Sequence, residues 1–137
     1  MKIHEFIEFL NANAPPAMRT LGGKVLQFDD EEKTILVRFD ASGSLCNADG
    51  AIQGGFICGM LDAAMAHAVF CLLRAHAIVA TLEIKVSYLE VCRPGELFAR
   101  GMVIRDGKTV TFLEAELRSA EDELLATASS TARVIRN

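Results

Sequence analysis

Apolar and polar positions along the chain divide it into elements before any single residue is considered. Ile3, Phe6, Ile7 and Leu10 recur at helical spacing, which predicts a short amphipathic helix ending before Pro15 and Pro16. Two strands are expected next, Gly23–Phe28 and Thr34–Asp40, joined by the acidic run Asp29–Glu32 as a solvated hairpin tip. From Ala41 to Gln53 the chain is too rich in Gly, Ser, Asn and Asp to be core. The stretch Gly54–His76, GGFICGMLDAAMAHAVFCLLRAH, has no proline and several alanines, and as one helix it would span about 34 Å. Its apolar residues point in all directions, as in a helix that is either buried or membrane-spanning. Asp62 and His67 inside it, and the long amphipathic strands after it, favour the buried helix.

Ile78–Glu90 then alternates with period two, with Ala80, Leu82, Ile84, Val86 and Tyr88 on one face and Thr81, Glu83, Lys85 and Ser87 on the other. Arg93–Gly95 reads as a turn, Glu96–Arg105 as a strand and Asp106–Gly107 as a hairpin turn leading into Thr109–Ser119. Leu124–Ile135 is the last strand, and no helix-length segment separates these strands, so an antiparallel meander is expected. A sheet of about six strands that must cover one apolar helix has to curl around it. The fold class is therefore α+β of the hot-dog type, one domain over residues 1–137, with a short N-terminal helix. The long strand after the helix favours a dimer whose two sheets join edge to edge.

Composition narrows the possible partners. The 137 residues are 51% hydrophobic and 23% charged, enough for one sizeable core and incompatible with wholesale disorder. A net charge of −4 gives no broad attraction for nucleic acid or for an anionic membrane. Cys46, Cys58, Cys71 and Cys92 form no CxxC pair, so neither a zinc ribbon nor a redox dithiol is suggested. Glu5 and Glu8 interrupt any signal-peptide core, and the expectation is a cytoplasmic protein with reduced, core-buried thiols.

Asp62 stands out, because a carboxylate among Met60, Leu61, Ala63 and Ala64 must be hydrogen-bonded or must face a cavity. The helix start, Gln53–Gly54–Gly55, is the second feature: its free N–H groups and the helix dipole could stabilise a carbonyl oxygen gaining negative charge. Eight residues separate Gly54 from Asp62, a rise of about 12 Å, so the two cannot serve one carbonyl from the same chain. If both act on one substrate, a second subunit supplies Asp62. Gly55, Gly59 and Ala63 make a small-residue stripe suited to close packing, and His67 lies about 140° around the helix from Asp62, away from any pairing with it. The glycines of GGFICG do not have dinucleotide-binding spacing.

Asn47–x2–Gly50–x2–Gln53–Gly54–Gly55–x6–Asp62 resembles the motif of the hot-dog-fold acyl-CoA thioesterases, in the branch of the phenylacetate-pathway and 4-hydroxybenzoyl-CoA enzymes. Thr81–Tyr88 (TLEIKVSY), Gly107–Thr109 (GKT) and Thr127–Thr131 (TASST) extend the resemblance, which runs from Leu21 to Val134. It implies hydrolysis of an acyl-CoA to acid and free CoA, with no metal and no cofactor. Asp62 would be general base or nucleophile, and Gly54 N–H of the other subunit would polarise the carbonyl. Asn47 would position water or the thioester, and Thr81 would orient water or Asp62. Gln53 and Gly55 would contact substrate, and Phe56, Met60 and Met65 would line the acyl slot. Arg93, Arg105 and Lys108 are the candidates for holding the CoA phosphates. It also implies a homodimer with sites at the subunit interface, assembled as a dimer of dimers. Gln53 replaces the family's histidine and cannot titrate near neutral pH, which keeps open a non-hydrolysing acyl-CoA-binding module. A dehydratase, which pairs His with an acid, is disfavoured by the placement of His67.

Overall fold

The computed structural model describes residues 1–136. Helix α1 (Ile3–Ala12) and a short α2 (Pro16–Leu21) precede strands β1 (Gly23–Asp29) and β2 (Thr34–Ala41). The long helix α3 (Gly54–Leu73) follows, and then β3 (Ala77–Tyr88), β4 (Gly95–Asp106), β5 (Val110–Ser119) and β6 (Leu124–Arg136). The strands form one antiparallel sheet in the order β1-β2-β4-β5-β6-β3. Its concave side wraps α3, giving the expected α+β layout. The prolines that end α1 also open α2, since Pro16 occupies a first-turn position whose N–H would have no helical partner, and Gly22 closes α2 at φ +70°.

The expected meander is incomplete. β4, β5 and β6 run consecutively, but β3 pairs with β6 at the far edge, and β2 takes the place beside β4. The inner residues of β2, Ile35, Val37 and Phe39, are all 0% exposed, and such a strand gains most from an interior position. The Leu89–Pro94 connection crosses the end of the sheet, where Leu89 and Glu90 N–H groups donate to Leu125 O at 2.9 and 3.1 Å.

Helix α3 is long and apolar enough to cross a membrane, yet it lies against the sheet with Met60, Leu61, Ala64 and Ala68 at 0% exposure. It ends three residues earlier than the sequence pattern suggests. Arg74 turns to φ 50° and its guanidinium donates to Asp30 Oδ1 and Oδ2 at 2.8 and 2.6 Å. That contact ties the end of the helix to the β1–β2 turn and holds the Asp30 carboxyl below its ordinary range. His67, 4% exposed, has Nδ1 at 2.8 Å from Ala63 O and meets Phe70 edge-on, and burial pushes its pKa below the ordinary value. All four cysteines are free; Cys71 and Cys92 are buried, whereas Cys46 and Cys58 are only half-buried.

The two sheet edges differ. Asn11 of α1 closes the β1 edge by donating from Nδ2 to Val25 O and accepting from Val25 N–H, both at 2.9 Å. The β3 edge is open, and Ile78, Leu82 and Tyr88 on it are 52%, 59% and 52% exposed. Where α3 crosses β4, a Cβ on Gly101 would lie 2.9 Å from Ala64 O, so only glycine admits the helix backbone this close. Gly101→Ala is expected to lower unfolding stability by about 1–3 kcal/mol in urea titration. A second expectation concerns pH. Because the folded His67 binds its proton less readily than the unfolded chain, stability is full above the unfolded value near 6.5 and falls as pH drops through it. Replacing His67 with Gln removes that part of the slope between pH 7.5 and 5.5, read as the urea midpoint at each pH.

Candidate active site

The geometry of the site begins with an irregularity in β3. Thr81 pairs with Ala132 and Glu83 with Thr131, so Leu82 is an extra residue with no partner on β6. This bulge reverses the alternation of the strand. Val79 and Thr81 face the helix before it, and Ile84, Val86 and Tyr88 face the helix after it, each opposite an inward residue of β6. The face read from alternation alone is thus right for Ile84, Val86 and Tyr88 and reversed for Ala80, Leu82 and Thr81. Ser130 Oγ donates to Glu83 O at 2.8 Å and pins the bulge.

Two side chains seven residues apart therefore reach the same flank of α3. Thr81 Oγ1 donates to Asp62 Oδ1 at 2.7 Å, and Tyr88 Oη donates to Gly54 O at 2.7 Å. Cys58 lies between them along the helix, and burial, with Asp62 nearby, pushes its thiol pKa up and keeps the thiol neutral. Asp62 is not sealed in apolar surroundings as the sequence pattern implies. It is partly exposed, because its helix face looks toward the open edge at β3 rather than under the centre of the sheet.

At the start of α3, Phe56 and Ile57 N–H groups donate to Gln53 O at 2.9 and 3.3 Å. Among the described residues, Gly54 and Gly55 N–H groups have no acceptor. Gln53 is exposed, and its side chain does not cap the helix. An open pocket of about 380 Å³ lies here, lined by Gly54, Ile57, Tyr88, Leu89 and Val91 among others. Leu89 and Val91 are 51% and 59% exposed, an apolar rim beside polar helix-end donors.

The other expected site residues divide by place. Asn47 Oδ1 accepts Asp49 N–H and Ala51 N–H at 2.9 and 3.2 Å, which holds the loop before α3 in shape and leaves the Nδ2 group for other partners. Arg93 reaches the same loop, with Nη1 at 3.4 Å from Asp49 O. Phe56 is 39% exposed at the helix start. Met60 and Met65, expected in an acyl slot, are 0% and 1% exposed and fill the core between α3 and the sheet. Arg105 and Lys108 lie at the β4–β5 hairpin, the opposite end of the sheet from Tyr88, and are not brought to the helix start of the same chain. No group of three metal-ligating side chains occurs among the described residues. Sequence reasoning overlooked Tyr88, whose one distinguishing sign is that the chain contains a single tyrosine.

The family model described as the thioesterase superfamily matches residues 49–126, a span that carries Gly54, Asp62, Thr81 and Tyr88. No curated protein sequence matches the chain. Among solved structures, a phenylacetic acid degradation-related protein of Ralstonia eutropha JMP134 shares 33% identity, with 93% of this chain and 98% of that chain covered and a TM-score of 0.83. A thioesterase family protein of Silicibacter pomeroyi (23% identity, 99% and 100% covered, TM-score 0.84) shares the fold. So does the PaaI protein from the phenylacetic acid degradation operon of Escherichia coli (17% identity, 99% and 98% covered, TM-score 0.83). The family match over more than half the chain and the common hot-dog architecture lead to one conclusion: this chain belongs to the thioesterase superfamily and is a thioester hydrolase.

Proposed function

We propose that the protein hydrolyses an acyl-CoA thioester, with an aryl or fatty acyl group, to the free acid and CoA. The observation that carries this reading is the Asp62 carboxylate of α3, which faces the open β3 edge and is oriented by Thr81 at 2.7 Å through Oδ1. Its other oxygen, Oδ2, has no hydrogen-bond partner among the described residues and is the one available to the reaction. As general base it takes a proton from water while the water oxygen attacks the thioester carbon; as nucleophile it attacks that carbon itself. Negative charge then grows on the carbonyl oxygen, where the unpaired Gly54 N–H at the helix start stabilises it. The C–S bond breaks and CoA leaves as thiolate. On the general-base route the thiolate takes the proton held by Asp62. On the nucleophilic route it is protonated by water, and a water molecule then cleaves the acyl–Asp62 anhydride to release the acid and free the carboxylate. Asn47 Nδ2 donates to the thioester group or to water, and Gln53, Gly55 and Phe56 border it. Arg93, whose Nη1 is 3.4 Å from Asp49 O beside the Asn47 loop, would hold a CoA phosphate. The compartment is the cytoplasm.

Asp62 and Gly54 of one chain stand about 12 Å apart along an unbroken helix, so one carbonyl draws on two protomers. The open β3 edge supports a homodimer of joined sheets, and pairs of dimers complete the assembly. Each helix residue is tied to a β3 residue, Asp62 to Thr81 and Gly54 to Tyr88. Antiparallel β3–β3 pairing with Thr81 about opposite the partner's Tyr88 brings Asp62 of one chain to Gly54 of the other.

Asp62→Asn is expected to fold and associate like the wild type while turnover of a panel of acyl-CoAs, followed by thiol release, falls by about two orders of magnitude or more. Unchanged turnover sinks the role of Asp62, and tight binding of acyl-CoA by the wild type without thiol release sinks hydrolysis. Gly54→Pro removes the N–H at a first-turn position that accommodates proline, and kcat should fall about 10²–10³-fold. Mixing the two inactive variants under conditions of subunit exchange should restore activity, because a mixed dimer holds one intact site. A site within one chain gives no recovery.

A further inference from the structure

Two peptide groups at the start of α3 are held in the same way. Gln53 O accepts the Phe56 and Ile57 N–H groups, and Gly54 O accepts the Tyr88 hydroxyl at 2.7 Å. In a trans peptide the C=O and N–H point in opposite directions. Each bonded carbonyl therefore aims an N–H away from itself: Gln53 O aims that of Gly54, and Gly54 O aims that of Gly55. Both N–H groups are without acceptors among the described residues. The Tyr88 ring also fills the place beside Gly54, where an added Cβ would meet its Cε1, Cζ and Oη at 3.4 Å. Nothing lies within 4 Å of a Cβ built on Gly55, so a substrate has room to approach that residue. A hydrogen bond on a carbonyl polarises its peptide group and strengthens the N–H at the other end.

We propose that Tyr88 is a positioning residue for thioester hydrolysis: its hydroxyl holds and polarises the Gly54–Gly55 peptide, so that the Gly55 N–H joins the Gly54 N–H as a second donor to the carbonyl oxygen. This rests on the helix start being the carbonyl-binding site. The bulge at Leu82 is what makes it possible, because without it Tyr88 and Thr81 could not both face α3. The hydroxyl is available for this role because burial keeps its pKa above the ordinary value and the phenol protonated as a donor.

Tyr88→Phe keeps the ring and removes only the donor. On the acyl-CoA that the wild type hydrolyses fastest, kcat is expected to fall about tenfold, less than the 10²–10³-fold of losing a donor outright, with KM within about twofold. Melting temperature and dimerisation should be unchanged. A spectroscopic readout separates positioning from packing. In an Asp62→Asn background with the same acyl-CoA bound, carrying a 13C-labelled carbonyl, the C=O stretch should move toward its solution frequency when Tyr88→Phe is added. Wild-type kcat in Tyr88→Phe, or a rise in KM alone, overturns the proposal, as does an unmoved C=O stretch. If Gly54→Pro cuts kcat while Tyr88→Phe does not, only the role of Tyr88 is lost. If neither matters, the carbonyl lies elsewhere.

Discussion

One unpaired residue, Leu82, governs how the rest of the site is laid out. A strand presents alternate residues to opposite faces, so Thr81 and Tyr88, seven positions apart, would ordinarily face opposite ways. The bulge shifts the phase by one, and Ser130 satisfies the Glu83 carbonyl beside it. Both side chains then meet one flank of α3, one at a carboxylate and the other at the carbonyl of the first helical residue. Bulges re-aim side chains at sheet edges, and this one lies on an edge strand.

The helix itself is held close to the sheet. Gly101 lets β4 lie against the backbone of Ala64, and the residues around that crossing have no exposure. With the centre of α3 seated this tightly, its start and the flank bearing Asp62 are presented at defined positions rather than on a mobile loop. The β1 edge is closed by Asn11, and the open β3 edge is on the side where Asp62 lies. A carboxylate there stays partly in water, which avoids the cost of sealing an unpaired charge inside the fold. The net charge is acidic, and Arg93 is a cation beside the loop that leads into α3.

The chain's periodicity was enough to locate the long helix, the six strands to within a few residues and the α+β wrap. Asp62 and Gly54 stand out in the sequence as candidates because each breaks a local expectation: a charge in an apolar run, and paired glycines where a helix begins. Three things were not legible. Pro15 and Pro16 read as an ending, although a proline in the first turn is equally a beginning. The neighbours of β3 depended on how strongly β2 competes for the interior, which is a comparison between strands distant in sequence. Met60 and Met65 suited either an adaptable pocket or gap-filling in the core, and the pattern could not choose, because an apolar side chain on a helix turns toward whatever covers it, and here the sheet does.

Local pattern by itself determined which segments are helix or strand, that one helix needs covering, and that a carboxylate and a glycine turn share that helix. These follow from side-chain chemistry and near-neighbour spacing, which the linear order contains. Only the tertiary structure decided that β3 lies at the edge, that its alternation reverses at Leu82, and that Tyr88 therefore holds the first peptide of α3. The reason is physical: Val79 and Ala80 are both apolar, so either phase of the strand satisfies the local pattern. The choice is made by β6 and α3 packing against it.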